Sequence, residues 1–248
     1  MDFQNKVVII TGGASGIGAA TAEAFCKEGA KVVIADLSNA GKDFSDSLNA
    51  KGFETAFFQI DVRTLEANQA LLDFTLKTFG DLDIVFANAG VASDNGPADA
   101  LTVENWQLGV DVNLTAVFML DKLAIEYWLK QGKGGAIVNC GSIHSWVGKS
   151  GLSTYSATKG AVKLLTQTLA IDYASKGIRV NAVSPGYIDT PFLAKVPPAM
   201  KEALVKQHPI GRLGRADEVA NAVLFLASEK ASFINGVSLL VDGGYVAQ

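Results

Sequence analysis

The 248 residues carry a net charge of −4, with 49% hydrophobic and 19% charged residues. This is the composition of a folded chain that can bury a large core without disulfides or metals, and its acidic balance excludes the basic footprint of a general nucleic-acid binder. Cys26 and Cys140 are the only cysteines, no stretch reaches 18 unbroken apolar residues, and the N-terminus has no cleavage signature, so a reduced, cytoplasmic protein without a membrane span is expected.

In chain order, short apolar runs rich in β-branched residues fall at 6–11 (KVVIIT), 31–35 (KVVIA), 55–60 (TAFFQI), 83–87 (DIVFA), 135–139 (GAIVN), 178–183 (IRVNAV) and 237–241 (VSLLV). Continuous apolar runs of this length suit strands covered on both faces. The stretches between them have the length of helices, among them 19–28, 102–130 and 152–175. Alternation of this kind predicts one α/β domain over 1–248, a Rossmann-type, doubly wound parallel sheet of about seven strands with helices on both faces. Ligands are then expected outside the carboxyl ends of the strands. Five of the six prolines fall between 185 and 214, which marks a substrate lid after the sixth strand.

The first strand runs into Thr11-Gly12-Gly13-Ala14-Ser15-Gly16-Ile17-Gly18. Glycines between a strand and a helix let backbone N–H groups approach a pyrophosphate, and the helix N-terminus adds positive partial charge there. The spacing is GxxxGxG, through Gly12, Gly16 and Gly18. Asp36 follows at the end of the second strand. An acid there accepts hydrogen bonds from the adenosine ribose and repels a 2′-phosphate, while a strand–helix turn cap is its structural alternative. Ser15 and Leu37 offer that phosphate no cation, so NAD is the expected cofactor.

Tyr155 and Lys159 lie four apart at the start of an amphipathic segment and therefore share one helix face. A neighbouring ammonium favours the phenolate of a tyrosine, and Ser142, at the end of the fifth strand, can donate to a substrate oxygen. The glycine loop, Asp36, Ser142 and the Tyr-xxx-Lys pair occur in one order.

On these residues, together with Asp61-Val62, Asn88-Ala89-Gly90, Asn113 and Pro185-Gly186 with Thr190, the chain resembles the short-chain dehydrogenase/reductase family over about residues 6–244; Ala87 stands where the family often has a second Asn. The resemblance implies reversible hydride transfer between a secondary alcohol or ketone and NAD(H). Tyr155 would be the acid–base, Ser142 the oxygen anchor, and Lys159 a hydrogen-bond donor to the nicotinamide ribose, with Asn113 behind it in a water-linked proton path. It also implies that Asp61 and Val62 flank the adenine, that Asn88, Ala89 and Gly90 line the cofactor, and that residues 185–190 fold over the nicotinamide with Ile188 and Thr190 near its carboxamide. Runner-up activities are a 3-oxoacyl-thioester reductase and a hydroxysteroid or 3-hydroxy acid dehydrogenase.

For the substrate, Ser142, His144, Tyr155 and Tyr187 are the candidate contacts. His144 either binds a polar substituent or is a satisfied wall residue. The direction of Lys149 is open, and without a clear carboxylate clamp a neutral alcohol or ketone is expected. The apolar residues Leu114, Val117, Phe118, Leu120, Leu164 and Leu165 exceed what one sheet face covers, and the resemblance implies pairing of these helices in a homotetramer. The ending Gly-Tyr-Val-Ala-Gln is similar to that of the magnesium-dependent (R)-selective alcohol dehydrogenases of the family. That similarity raises a structural Mg²⁺ at Gln248, with an end docked by its tyrosine as the alternative.

Overall fold

The computed structural model describes residues 3–94, 96–194 and 196–248. Seven strands form one parallel sheet: β1 (Val7–Thr11), β2 (Lys31–Asp36), β3 (Glu54–Gln59), β4 (Ile84–Ala87), β5 (Gly135–Cys140), β6 (Ile178–Pro185) and β7 (Ser238–Val241), in the order β3-β2-β1-β4-β5-β6-β7. Every expected strand is present, with ends displaced by one or two residues. The order reverses between β1 and β4, which opens the crevice at their carboxyl ends.

Within the strands, alternate side chains serve two cores. Ile9, Val33, Val85 and Ile137 face one way, while Val8, Ile10, Ile34, Phe86 and Val138 face the other. Helices α3 (Leu65–Phe79), α5 (Ala116–Gln131) and α6 (Ser153–Tyr173) cover the first face through Leu71, Leu120 and Val162. Helices α1 (Gly16–Lys27), α2 (Ala40–Asn49) and α8 (Ala216–Ala227) cover the second through Phe25, Leu48 and Val223. Covering both faces explains why the strands read as unbroken apolar runs. No helix among the described residues is long and apolar enough to cross a membrane.

Two expectations need correction. The helix over 102–130 is present but not regular, running as α4 (Val103–Val110), a π-helical turn at Asp111–Thr115, and α5. The turn carries Asn113, whose fully buried amide bonds the backbone of Val91 in both directions, Val91 N donating to Oδ1 at 2.8 Å and Nδ2 donating to Val91 O at 2.9 Å. Val117 and Leu120 are not surplus apolar surface but core, and of the six residues named only Phe118 (44% exposed) and Leu164 (62%) are largely open.

The 185–214 segment is more regular than a loop. It holds the end of β6, a 3₁₀ turn at Pro191–Leu193 and helix α7 (Pro198–Lys206). Its base is pinched shut, with Asp189 N donating to Gly214 O at 2.9 Å and Gly214 N donating to Tyr187 O at 3.0 Å.

Candidate active site

The glycine loop is shaped by close approaches. Gly12 and Gly16 have φ of +62° and +54°, and a Cβ on Gly18 would lie 2.1 Å from Gly12 O. Asn88 locks this loop to the end of β4, its Nδ2 donating to Thr11 O at 2.9 Å and to Gly12 O at 3.1 Å. The backbone N–H groups of Asn88 and Ala89 both donate to Thr11 Oγ1. Ser15, the exposed N-cap of α1, makes no side-chain cap bond, so the first-turn N–H groups of α1 look outward. The loop therefore fits the pyrophosphate of a dinucleotide.

At the adenosine end, Asp36 Oδ2 accepts from Ala14 N at 3.0 Å and Oδ1 accepts from Ser38 N at 2.9 Å. The carboxylate thus clamps the loop to β2 and caps the following turn, while remaining half-buried and next to exposed Leu37. Both readings of Asp36 are compatible with this geometry. Asp61 is less open than the sequence suggested. Arg63 grips it with two nitrogens at 2.6–3.0 Å and holds its carboxyl below the usual range. Val62 is buried in the core rather than displayed.

The catalytic candidates converge at the carboxyl ends of β4 and β5. Ser142 follows β5 and accepts from His144 N at 3.1 Å, and its side chain draws the Tyr155 pKa down. Ser145 joins this turn to α6, accepting from Ser142 N and donating to Lys159 O at 2.7 Å. Asp94 fixes the start of α6 by accepting from Thr154 N at 2.8 Å and Tyr155 N at 3.0 Å. Lys159 is buried, with its Nζ 5.7 Å from the Tyr155 ring centre and donating to Cys140 O at 2.6 Å. A Cβ on Gly90 would meet Asn113 Oδ1 at 3.3 Å and Lys159 Nζ at 3.7 Å, which places the three together.

The electrostatics differ from the sequence expectation. Burial pushes the Tyr155 hydroxyl above its ordinary value, and the Ser142 hydrogen bond only partly offsets this. Burial also lowers the pKa of Lys159. In the chain alone, then, desolvation outweighs the ammonium, and an additional positive charge beside Tyr155 is needed to favour the phenolate.

Over the crevice, Thr190 stands against the glycine loop, its Cβ 3.3 Å from where a Gly16 Cβ would be. Ile188 is buried in the core beneath it. Gly186 leaves room for His208 Nε2, 2.7 Å from where its own Cβ would be, just after Pro185 at the end of β6.

The pocket wall is aromatic. His144 packs edge-on against Tyr155, Tyr187 and Tyr245 at 6.0, 6.0 and 6.5 Å, and His208 closes the group against Tyr187 and Tyr245. His144 Nδ1 faces Val147 O at 3.1 Å, which fixes the proton on Nδ1 and turns Nε2 as an acceptor toward the Tyr187 hydroxyl at 3.2 Å. Burial lowers the pKa of His144 and keeps the ring neutral. His144 is thus a satisfied wall residue that orients Tyr187. Sequence reasoning missed His208, Tyr245, Asp94 and Ser145. The two histidines are the only ones in the chain, and that scarcity was the available signal for His208.

At the C-terminus, Gln248 Nε2 donates to Gln207 O at 2.8 Å and the Tyr245 hydroxyl bonds Gln207 Oε1. Among the described residues no group of three or more His, Cys, Asp or Glu could hold a metal. The residues around Gln248 in one chain give no support to a Mg²⁺ site, and the contact they do show is the Tyr245 hydroxyl on Gln207.

Comparisons with known proteins show the family of the chain. A family model described as enoyl-(acyl carrier protein) reductase matches residues 12–246. The cis-4-hydroxycyclohexanecarboxylate dehydrogenase of Sinomonas cyclohexanicum is 43% identical over 99% of this chain and 98% of its own. The cyclohexanol dehydrogenase of Acinetobacter sp. (strain SE19) is 41% identical over 99% and 97%. A solved 3-ketoacyl-(acyl-carrier-protein) reductase from Brucella melitensis, complexed with NADH, superposes with a TM-score of 0.92 at 33% identity, over 99% of this chain and 100% of that one.

Proposed function

The chain belongs to the short-chain dehydrogenase/reductase family and is an oxidoreductase of secondary alcohols and ketones that uses a nicotinamide cofactor; from this we propose an NAD-dependent dehydrogenase of cyclic secondary alcohols. The observation that carries the reading is the convergence of Ser142, Tyr155 and Lys159 beside the glycine loop, with Asp36 clamped to that loop.

NAD, when bound, supplies the hydride acceptor and a positive charge beside Tyr155. The glycine loop and the α1 N-terminus would hold its pyrophosphate, and Asp36 would accept from its ribose hydroxyls. Ser142 donates to the carbinol oxygen and keeps it in place as the carbonyl forms. Tyr155 takes the hydroxyl proton, and Lys159 raises the fraction of Tyr155 able to do so. Asn113, anchored on Val91, supports Lys159 from behind. The 185–214 segment closes over the pocket, and its aromatic wall suits a compact, mainly apolar ring. The names of the two curated relatives support a cyclohexanol-type substrate. The same family membership supports a homotetramer paired through α5 and α6.

A 3-oxoacyl-thioester reductase is the second reading, supported by the solved relative of that name. Purified protein assayed with cyclohexanol, and in the reverse direction with cyclohexanone and an acetoacetyl thioester, decides between them. Cyclohexanol oxidation with NAD favoured over NADP is expected. Reduction of the thioester alone, or preference for NADP, would contradict the proposal.

A further inference from the structure

Lys149 stands at the end of the turn that follows Ser142, and its ammonium reaches Tyr187. Nζ donates to the Tyr187 hydroxyl at 2.7 Å and lies 4.6 Å from the centre of that ring. The tyrosine hydroxyl donates in turn to His144 Nε2 at 3.2 Å, and His144 packs edge-on against Tyr155. A directional relay thus runs from the ammonium to the ring beside the acid–base residue. Every proton in it is assigned, because Nδ1 of His144 is committed to Val147 O.

What this cation lacks is a counter-ion. Among the described residues no carboxylate lies within ion-pair distance of Lys149. Asp94, the acid at the start of α6, is spent on the N–H groups of Thr154 and Tyr155. Lys149 is only partly exposed, and it is partly desolvated, which weakens its hold on its own proton. Two of its three N–H donors remain for a ligand. A half-desolvated ammonium on an aromatic wall binds an anion more strongly than the same group in bulk water.

We infer that Lys149, braced by Tyr187 and His144, recognises a carboxylate on the substrate ring away from the carbinol, so that the pocket selects cyclic hydroxy acids over the unsubstituted alcohols. This rests on the alcohol dehydrogenase reading but is read out separately from it. The mode is a single point charge, as a lysine provides, rather than the bidentate fork an arginine would give.

The test compares binding of cyclohexanecarboxylate, which has no hydroxyl to oxidise, with its neutral isostere cyclohexanecarboxamide, by calorimetry with and without NADH. Wild type, Lys149→Met and Lys149→Arg are measured, with cyclohexanol oxidation as a parallel activity control. The wild type should bind the carboxylate at least about tenfold more tightly than the amide, the scale of one partly desolvated charge pair. Lys149→Met should erase that preference and leave cyclohexanol turnover within about twofold, and Lys149→Arg should keep part of it. With cis-4-hydroxycyclohexanecarboxylate as substrate, the Met variant should lose through KM, not kcat. No preference in the wild type, or one that survives Lys149→Met, overturns the inference. Because binding is measured without turnover, a failure of cyclohexanol oxidation counts against the dehydrogenase reading alone.

Discussion

Asp121 is a carboxylic acid at 0% exposure, and its surroundings favour the neutral form. Its Oδ2 accepts from Asn139 Nδ2 at 2.9 Å, while Asp121 Oδ1 and Asn139 Oδ1 have no donor. A proton on the acid supplies the missing donor, and burial pushes its pKa up to about 8. The unfolded chain titrates this group near about 3.9. The folded state therefore holds a proton that the unfolded state has lost at intermediate pH. Its contribution to stability is full below the unfolded value, is lost as pH rises toward the folded one, and levels off above it. Asp121→Asn keeps the shape and removes the titration. Urea unfolding across this range should show a shallower loss of stability with pH in the variant. Identical slopes would show that Asp121 ionises freely when folded. That Ser142, Tyr155 and Lys159 would come together was legible in the sequence, through their order and spacing. Lys149 and Asp121 were not, because their meaning depends on which atoms face them, and nothing local to either residue records that.

At the scale of elements, the strands were the most legible part. Sheet burial on both faces leaves a continuous apolar run, and a chain folded this way can hardly conceal it. The glycine loop was legible for a similar reason, since a Cβ at position 18 would collide with Gly12 O. The π-helical turn at Asp111–Thr115 left no such mark. DVNLT has neither proline nor glycine, and the turn is set by the pull of Val91 on the Asn113 amide across the crevice. Such turns recur at functional sites because they re-aim one side chain without ending the helix. The start of α6 was placed within a residue, yet its cause was hidden. Asp94 caps it from 60 positions upstream and so sets where Tyr155 stands.

At the scale of the molecule, the single doubly wound domain was legible, and the assembly is a proposal that a mass measurement decides. Phe118, Leu164 and Ile171 are 44%, 62% and 80% exposed on α5 and α6, while Val117 and Leu120, counted with them in the sequence, serve the core. A smaller apolar face than the sequence suggested is therefore open on α5 and α6. Light scattering at micromolar concentration should return about four times the 26.0 kDa of one chain. A single-chain mass would reject the tetramer, and Leu164→Glu should shift an assembled sample toward smaller species.

The central claim is that one hydroxyl, on Tyr155, moves the proton in a secondary alcohol oxidation. Tyr155→Phe removes that oxygen and keeps the ring that packs against His144. The rate of NADH formation from cyclohexanol at saturating NAD should fall by about 10²–10⁴, the usual worth of a positioned acid–base group, while NAD affinity stays within about twofold. A Tyr155→Phe variant that turns over cyclohexanol near the wild-type rate would contradict the account.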